Sequence, residues 1–208
     1  KRQQYVGLDA SLRRSWDAFM NRELADRGIA VVDHALPAAL LQSLQLAARL
    51  QLAQAPEAGI GRGENHVVDA LVRRDRIRWL DASDGASAGF LAAMEQLRQQ
   101  LNQQLFLGLF RYESHYASYA PGAFYRRHRD AFRGQHNRKL STVFYLNDDW
   151  QPQDGGELVI YADDETTVLD RVSPQANRLV LFLSEEFPHE VLPAVRERVS
   201  IAGWFRGA

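Results

Sequence analysis

The chain has 208 residues, 46% hydrophobic and 25% charged, an ordinary composition for a globular protein long enough to bury one substantial core. A formal net charge of −1 supplies no global field for nucleic acid or an anionic membrane, and the lack of cysteine excludes disulfides and thiolate metal sites. No apolar run approaches the roughly 18 residues that a bilayer requires and the N-terminus shows no signal-peptide pattern, so the cytoplasm is the expected compartment and no membrane partner is expected.

Residues 11–26 place Leu12, Trp16, Phe19, Met20 and Leu24 on a helical period that Gly28 ends. "GIAVVDHAL" then reads as a strand. Pro37 opens a second helix with Leu40, Leu41, Leu44 and Ala48 on one face. Residues 57–81 carry Gly59, Gly61 and Gly63 ahead of the Arg-rich "VRRDRIRWLD" and read as a long loop or hairpin outside the core, with 64–80 as a mobile loop. Ser87 begins a third helix, along which Phe90, Met94, Leu97, Leu101 and Leu105 form a buried stripe.

From residue 111 onward the period changes to two. "RYESHYASYA", "AFYRRH", "LSTVFYLN", "ELVIYA", "TTVLDRV", "RLVLFL", "HEVL" and "RVSIAGWF" are short extended runs between Pro, Gly, Asn and Asp turns. Such a series predicts a doubled antiparallel sheet, a jelly roll or double-stranded β-helix of about eight strands. The expected architecture is one α+β domain over 1–208. Residues 1–110 give helical support and the loop 64–80, the helices pack on one sheet, and 111–208 form the core. Two basic clusters, Arg73–Arg78 and Arg126–Lys139, stand out, although charge runs are most often solvated faces.

In a strand, residues two apart point to the same face, so His128 and Asp130 in "YRRHRDAF" can offer a nitrogen and an oxygen to one ion. Alone, such a pair is commonly a structural histidine and a surface ion pair. "EEFPHEVL" supplies His189, set between Pro188 and apolar Val191 as expected of a histidine fixed at a strand start. Two histidines and one carboxylate make a facial triad that leaves positions open on non-haem Fe(II), and zinc can use the same ligands. The last strand then alternates Arg198, Ser200, Ala202 and Trp204 on one face: a fork of donors, two small side chains and an aromatic. That pattern makes room for a small anion gripped bidentately by a guanidinium. Arg196 shares the parity, and parity does not choose between the two arginines. Tyr145 can add a phenolic hydrogen bond to the same anion, or be a core tyrosine.

With these residues in place the sequence resembles the iron(II)- and 2-oxoglutarate-dependent dioxygenases, and within them the prolyl 4-hydroxylase branch of the hypoxia-factor prolyl hydroxylases and their bacterial relatives. "VFYLNDDW", "DGGELVIY", "RLVLFLSEEFPHEVLP", "RERVSIAGWF" and "VRRDRIRWLD" carry the resemblance, which covers roughly 65–206. It implies His128, Asp130 and His189 as iron ligands, and Arg198 with Tyr145 on the distal carboxylate of 2-oxoglutarate. It implies Val143 and Leu158 as that pocket's lining, with Tyr119 and Tyr125 bordering iron and substrate. Trp204 would flank the target proline, Arg138 would stand at the peptide entrance, and Arg73 with Asp75 would hold the mobile loop. Two departures matter: Ala202 stands where the animal oxygen sensors carry threonine, and Tyr125, three residues before His128, needs a bend or bulge to reach the same face.

The implied reaction hydroxylates a prolyl residue at C4 with Fe(II), 2-oxoglutarate and O2, releasing succinate and carbon dioxide, with ascorbate as a supporting reductant. The implied partner is a protein substrate carrying the proline, with elongation factor Tu the first candidate through the bacterial relatives, and the enzyme is expected to be a monomer. Other readings remain. An oxygenase of a free amino acid or small metabolite fits the ligands, but a long Arg-rich segment by the site suits a macromolecule. A nucleic-acid demethylase would carry a second arginine six residues after Arg198, where Trp204 stands. A non-catalytic jelly-roll binding module would have lost a ligand, and none is missing.

Overall fold

The computed structural model describes residues 10–53, 55, 73–131, 134 and 137–208, with the backbone alone for 10–16. Three helices, α1 (Ala10–Arg27), α2 (Ala38–Leu52) and α3 (Gly85–Leu105), alternate in the first half with β1 (Ile29–Val32) and β2 (Asp75–Trp79). Eight further strands follow: β3 (Arg111–Tyr119), β4 (Tyr125–His128), β5 (Arg138–Tyr145), β6 (Leu158–Tyr161), β7 (Val168–Val172), β8 (Leu179–Leu183), β9 (His189–Val191) and β10 (Arg198–Arg206). They build a six-stranded sheet in the order β1-β8-β5-β10-β3-β2 and a four-stranded sheet in the order β4-β9-β6-β7, with every ladder antiparallel. This is the expected jelly-roll α+β fold, enlarged by β1 and β2 at the two edges of the larger sheet.

Period-two alternation explains why the larger sheet can serve two cores at once. On β8, Leu179 and Leu181 join the cluster formed with the helices, whereas Val180 and Phe182 join the cluster between the sheets. On β10, Ile201 and Phe205 meet the helices, while Arg198, Ser200, Ala202 and Trp204 line a cavity between the sheets. The helices therefore cover one face of the six-stranded sheet, and the other face combines a second apolar cluster with the cavity.

The segment expected as a mobile loop divides. Residues 64–72 lie outside the described residues. Residues 75–79 are not loop: β2 pairs with β3 from Asp75↔Tyr119 to Trp79↔His115. Asp75, Ile77 and Trp79 face the cavity and alternate with Arg76 and Arg78, and the two arginines hid an edge-strand period behind a charge run. α3 also starts two residues before Ser87, because Asp84 is its N-cap and accepts a 2.8 Å hydrogen bond from the Ser87 amide. Phe19, expected on the buried face of α1, is 49% exposed, while Met20 and Leu24 are buried.

Phe90 of α3 is fully buried, with Tyr112 and Phe144 at ring-centroid distances of 6.4 and 5.6 Å. Phe90→Ala is expected to cost about 3–5 kcal/mol of stability, since it opens a cavity between helix and sheet. Urea unfolding followed by circular dichroism measures this, and a loss below about 1 kcal/mol would contradict the packing described.

Candidate active site

Every site residue named above lines one cavity of about 870 Å³ between the two sheets. At one end, His128 and His189 stand directly opposite each other in the β4–β9 ladder. Asp130 lies beyond the end of β4, in a bend, so strand alternation gave the correct pairing on a backbone that is no longer strand. Its Oδ1 lies 3.4 Å from His128 Nε2 and 3.3 Å from His189 Nε2. The three donor atoms fall within 4.8 Å of one another.

The outer nitrogens of the rings fix their tautomers. His128 Nδ1 is 2.7 Å from the Arg126 carbonyl and His189 Nδ1 is 3.1 Å from the Phe187 carbonyl. A carbonyl only accepts, so each Nδ1 carries the proton and each Nε2 turns a lone pair toward Asp130. Burial pushes the Asp130 carboxyl up, but His189 and His128 outweigh it and hold the group well below the usual carboxylate range. Burial lowers His189, and the Asp130 charge overrides that to raise it; burial, aided by His189, keeps His128 low. Two lone pairs and an anionic oxygen converging on one point call for a cation. The separations suit ligands about 2.0–2.2 Å from a common centre, as in zinc sites, so the residues fit a divalent metal.

The bend that Tyr125 needed is present: the register of β4 shifts between Tyr125 and His128. Tyr125 consequently stacks on His128 at 3.6 Å with the rings 15° apart. The Arg73 guanidinium lies over the Tyr125 ring, 4.3 Å from its centroid, and is forked onto Asp75 through bonds of 2.7 and 2.6 Å. Burial would lower the Arg73 guanidinium, but its bonds to Asp75 raise it overall. An isolated bridge between Arg73 and Tyr125 joins the base of β2 to β4. Arg73 and Asp75 thus brace the wall at the end of the cavity that holds His128, Asp130 and His189.

At the other end Arg198 is 1% exposed. Its Nε donates to the Gly156 carbonyl at 2.7 Å and its Nη2 to the Tyr145 hydroxyl at 3.4 Å, with the Tyr119 and Tyr145 rings at 5.2 and 5.1 Å. Among the described residues no carboxylate pairs with it. A buried cation without an anion is costly, and a carboxylate from outside would offset that cost at this end of the cavity. Gly156 has to be glycine: its φ is +71°, and a Cβ would meet Ala194 at 2.9 Å, Trp150 at 3.0 Å and the Arg198 stem at 3.2 Å. Val143 and Leu158 supply apolar wall beside the fully buried Tyr145. Arg196, by contrast, is 41% exposed at its side chain, stacked on Trp150 and 3.6 Å from Asp154.

The mouth is aromatic. Arg138 lies 3.8 Å over Trp204 and 3.4 Å from Glu113. His115 and Trp79 complete this region and were not foreseen. Trp79 meets His115 edge-on at 5.0 Å, and Trp204 lies 5.5 Å from His115. Burial pulls His115 down to about 4, so it stays neutral at physiological pH. His115 shares the parity of Tyr119 on β3, a signal present in the sequence; Trp79 was masked by the reading of 64–80 as loop.

Comparison with known proteins agrees with this geometry. The sequence model of the 2OG-Fe(II) oxygenase superfamily matches residues 114–206. A hypoxia-inducible factor prolyl hydroxylase of Caenorhabditis elegans is 32% identical over 154 residues, 69% of this chain and 21% of that protein. The chain spans about a fifth of the length of the curated relatives it matches. A crystal structure of a Pseudomonas putida prolyl-4-hydroxylase is similar at 44% identity and a TM-score of 0.83, covering 92% of this chain and 99% of that one. A Trichoplax adhaerens prolyl hydroxylase, solved with a hypoxia inducible factor peptide, has a TM-score of 0.82 at 25% identity, covering 97% and 94%. The chain belongs to the 2OG-Fe(II) oxygenase superfamily, and the relatives it resembles there are prolyl hydroxylases.

His189→Ala is expected to abolish one-to-one binding of Fe(II) while leaving the circular dichroism spectrum in place; metal analysis of the purified variant decides this, and wild-type stoichiometry would refute the ligand set. Arg198→Ala is expected to weaken 2-oxoglutarate binding by about 2–5 kcal/mol, the cost of breaking a buried charge-assisted pair, whereas Arg196→Ala changes it little. Tyr145→Phe should cost only about 0.5–1.5 kcal/mol, one neutral hydrogen bond. Calorimetric titration ranks the three, and a larger loss at Arg196 would show that the wrong arginine was chosen.

Proposed function

We propose that the chain is a protein prolyl 4-hydroxylase dependent on Fe(II), 2-oxoglutarate and O2. The observation that carries the reading is one cavity with the His128, Asp130 and His189 donors at one end and Arg198, lacking any carboxylate partner among the described residues, at the other. Iron with its cosubstrate supplies, when bound, an oxidising power toward an unactivated C–H bond that no side chain possesses. The protein's own part is placement. His128, Asp130 and His189 hold the metal, Arg198 and Tyr145 grip the far carboxylate of 2-oxoglutarate, and Tyr119, Val143 and Leu158 exclude water around it. Trp204, Tyr125, Arg138, Arg73 and Asp75 shape the side from which a prolyl ring enters.

A prolyl substrate is favoured by the two prolyl hydroxylase structures that match nearly the whole chain. A protein rather than a free amino acid is favoured by the open, aromatic mouth, where Trp79 is 49% exposed beside outward-facing Arg76 and Arg78. The particular target we put first is a prolyl residue of elongation factor Tu, with the enzyme acting as a monomer in the cytoplasm. Among the described residues no helix is long and apolar enough to cross a membrane.

Incubation of the enzyme with elongation factor Tu, and separately with a cell lysate, in Fe(II), 2-oxoglutarate and ascorbate tests the reading by mass spectrometry. The expected result is a gain of one oxygen on a prolyl residue, with amino-acid analysis giving 4-hydroxyproline. Added salt should slow hydroxylation of the protein more than that of a short peptide, because exposed arginines are screened over about 8–10 Å near physiological ionic strength. Turnover of free proline with no modified protein would replace this reading with that of a metabolite oxygenase.

A further inference from the structure

Asp130 has two carboxylate oxygens, and only Oδ1 faces the histidines. Oδ2 accepts a 2.6 Å hydrogen bond from the Ser141 hydroxyl, and Ser141 Oγ lies 2.9 Å from Ser184 Oγ. Ser141 is 1% exposed and Ser184 is fully buried. A carboxylate only accepts, so Ser141 spends its single proton on Asp130. The proton between the serines therefore belongs to Ser184, and the chain runs in one direction: Ser184 donates to Ser141, which donates to Asp130. Each bond polarises the next, so the far hydroxyl strengthens the near one. The two serines come from neighbouring strands of the larger sheet, Ser141 from β5 and Ser184 one residue past the end of β8, and are held by its ladder: Leu140 pairs with Leu183, and the Ser184 amide bonds the Lys139 carbonyl at 3.1 Å.

We propose that Ser141, backed by Ser184, is a positioning pair that keeps Asp130 a one-oxygen ligand. The inference rests on the reading of His128, Asp130 and His189 as a metal site. A facial set of two histidines and one carboxylate oxygen leaves three of six positions open. A 2-oxo acid that chelates takes two, and dioxygen needs the third. If Asp130 turned to offer both oxygens, it would close a position the reaction needs, while still binding the metal well. Tying Oδ2 to a buried hydroxyl makes that turn cost a hydrogen bond to a charged group and takes from the Ser141 proton its acceptor. Neither serine touches the proposed substrates; both act through Asp130.

Mn(II), which needs no oxygen to be studied, gives a readout independent of turnover, because inner-sphere water speeds the relaxation of bulk water protons in proportion to its number. In Mn(II)-loaded protein, Ser141→Ala is expected to lower this enhancement by about a third, one water of three. With saturating 2-oxoglutarate the wild type should keep the enhancement of its one remaining water, and Ser141→Ala should lose nearly all of it. Ser184→Ala should fall between the two, since it removes only the supporting bond. Mn(II) should bind Ser141→Ala with stoichiometry of one. Equal enhancement in Ser141→Ala and wild type, with and without 2-oxoglutarate, overturns the proposal. An unchanged Ser184→Ala beside an altered Ser141→Ala overturns the part assigned to Ser184. Failure of the wild type itself to bind one Mn(II) displaceable by Fe(II) would instead remove the metal-site reading underneath.

Discussion

The antiparallel register of β4 and β9 sets His128 directly across from His189, and the rest of the site depends on that pairing. The two imidazoles lie ring to ring at 4.3 Å, and their inner nitrogens turn toward one point beside the Asp130 carboxylate. Asp130 supplies the counter-charge from the bend that ends β4. Because all three groups are largely buried, their charges act on one another with little water to screen them, and the direction of each perturbed pKa follows from that. The backbone irregularity between Tyr125 and His128 then brings an aromatic ring onto the outer histidine, and Arg73 and Asp75 lock that ring from behind.

A second charge problem organises the opposite end of the same cavity. Arg198 is taken out of water by the close approach of the Gly155–Gly156 turn, and its partners there are a carbonyl and a phenol rather than an anion. An electropositive pocket beyond an electronegative donor cluster suits the proposed binding of a small dicarboxylate that also ligates a metal. The larger sheet makes this affordable in structural terms, since one face carries the larger apolar cluster against the helices and the inner face adds a second around Val180, Phe182 and Leu158 beside the polar groups.

Much of this was legible in the sequence because β-strands repeat every two residues. Once Arg198 was placed on a face, Ser200, Ala202 and Trp204 followed, and once Tyr119 was placed, His115 could have been. The helical stripes of α2 and α3 were equally visible, for their apolar residues recur at the helical period and little else competes. Where the period was overlaid by charge it failed: Arg76 and Arg78 disguised an edge strand whose alternate residues, Asp75, Ile77 and Trp79, line the cavity.

The sequence by itself determined the strand faces, the ligand types and the presence of an arginine on the cavity-facing parity of the last strand, since each is a property of local alternation. It could not determine which of Arg196 and Arg198 is enclosed, because both have the same parity and burial depends on a glycine turn some forty residues away in the chain. Nor could it show that Asp130 points one oxygen at the histidines and the other at Ser141. That arrangement exists only where β4, β5 and β9 are brought together, and a register between distant strands is decided by the packing of the whole sheet rather than by any one segment of it.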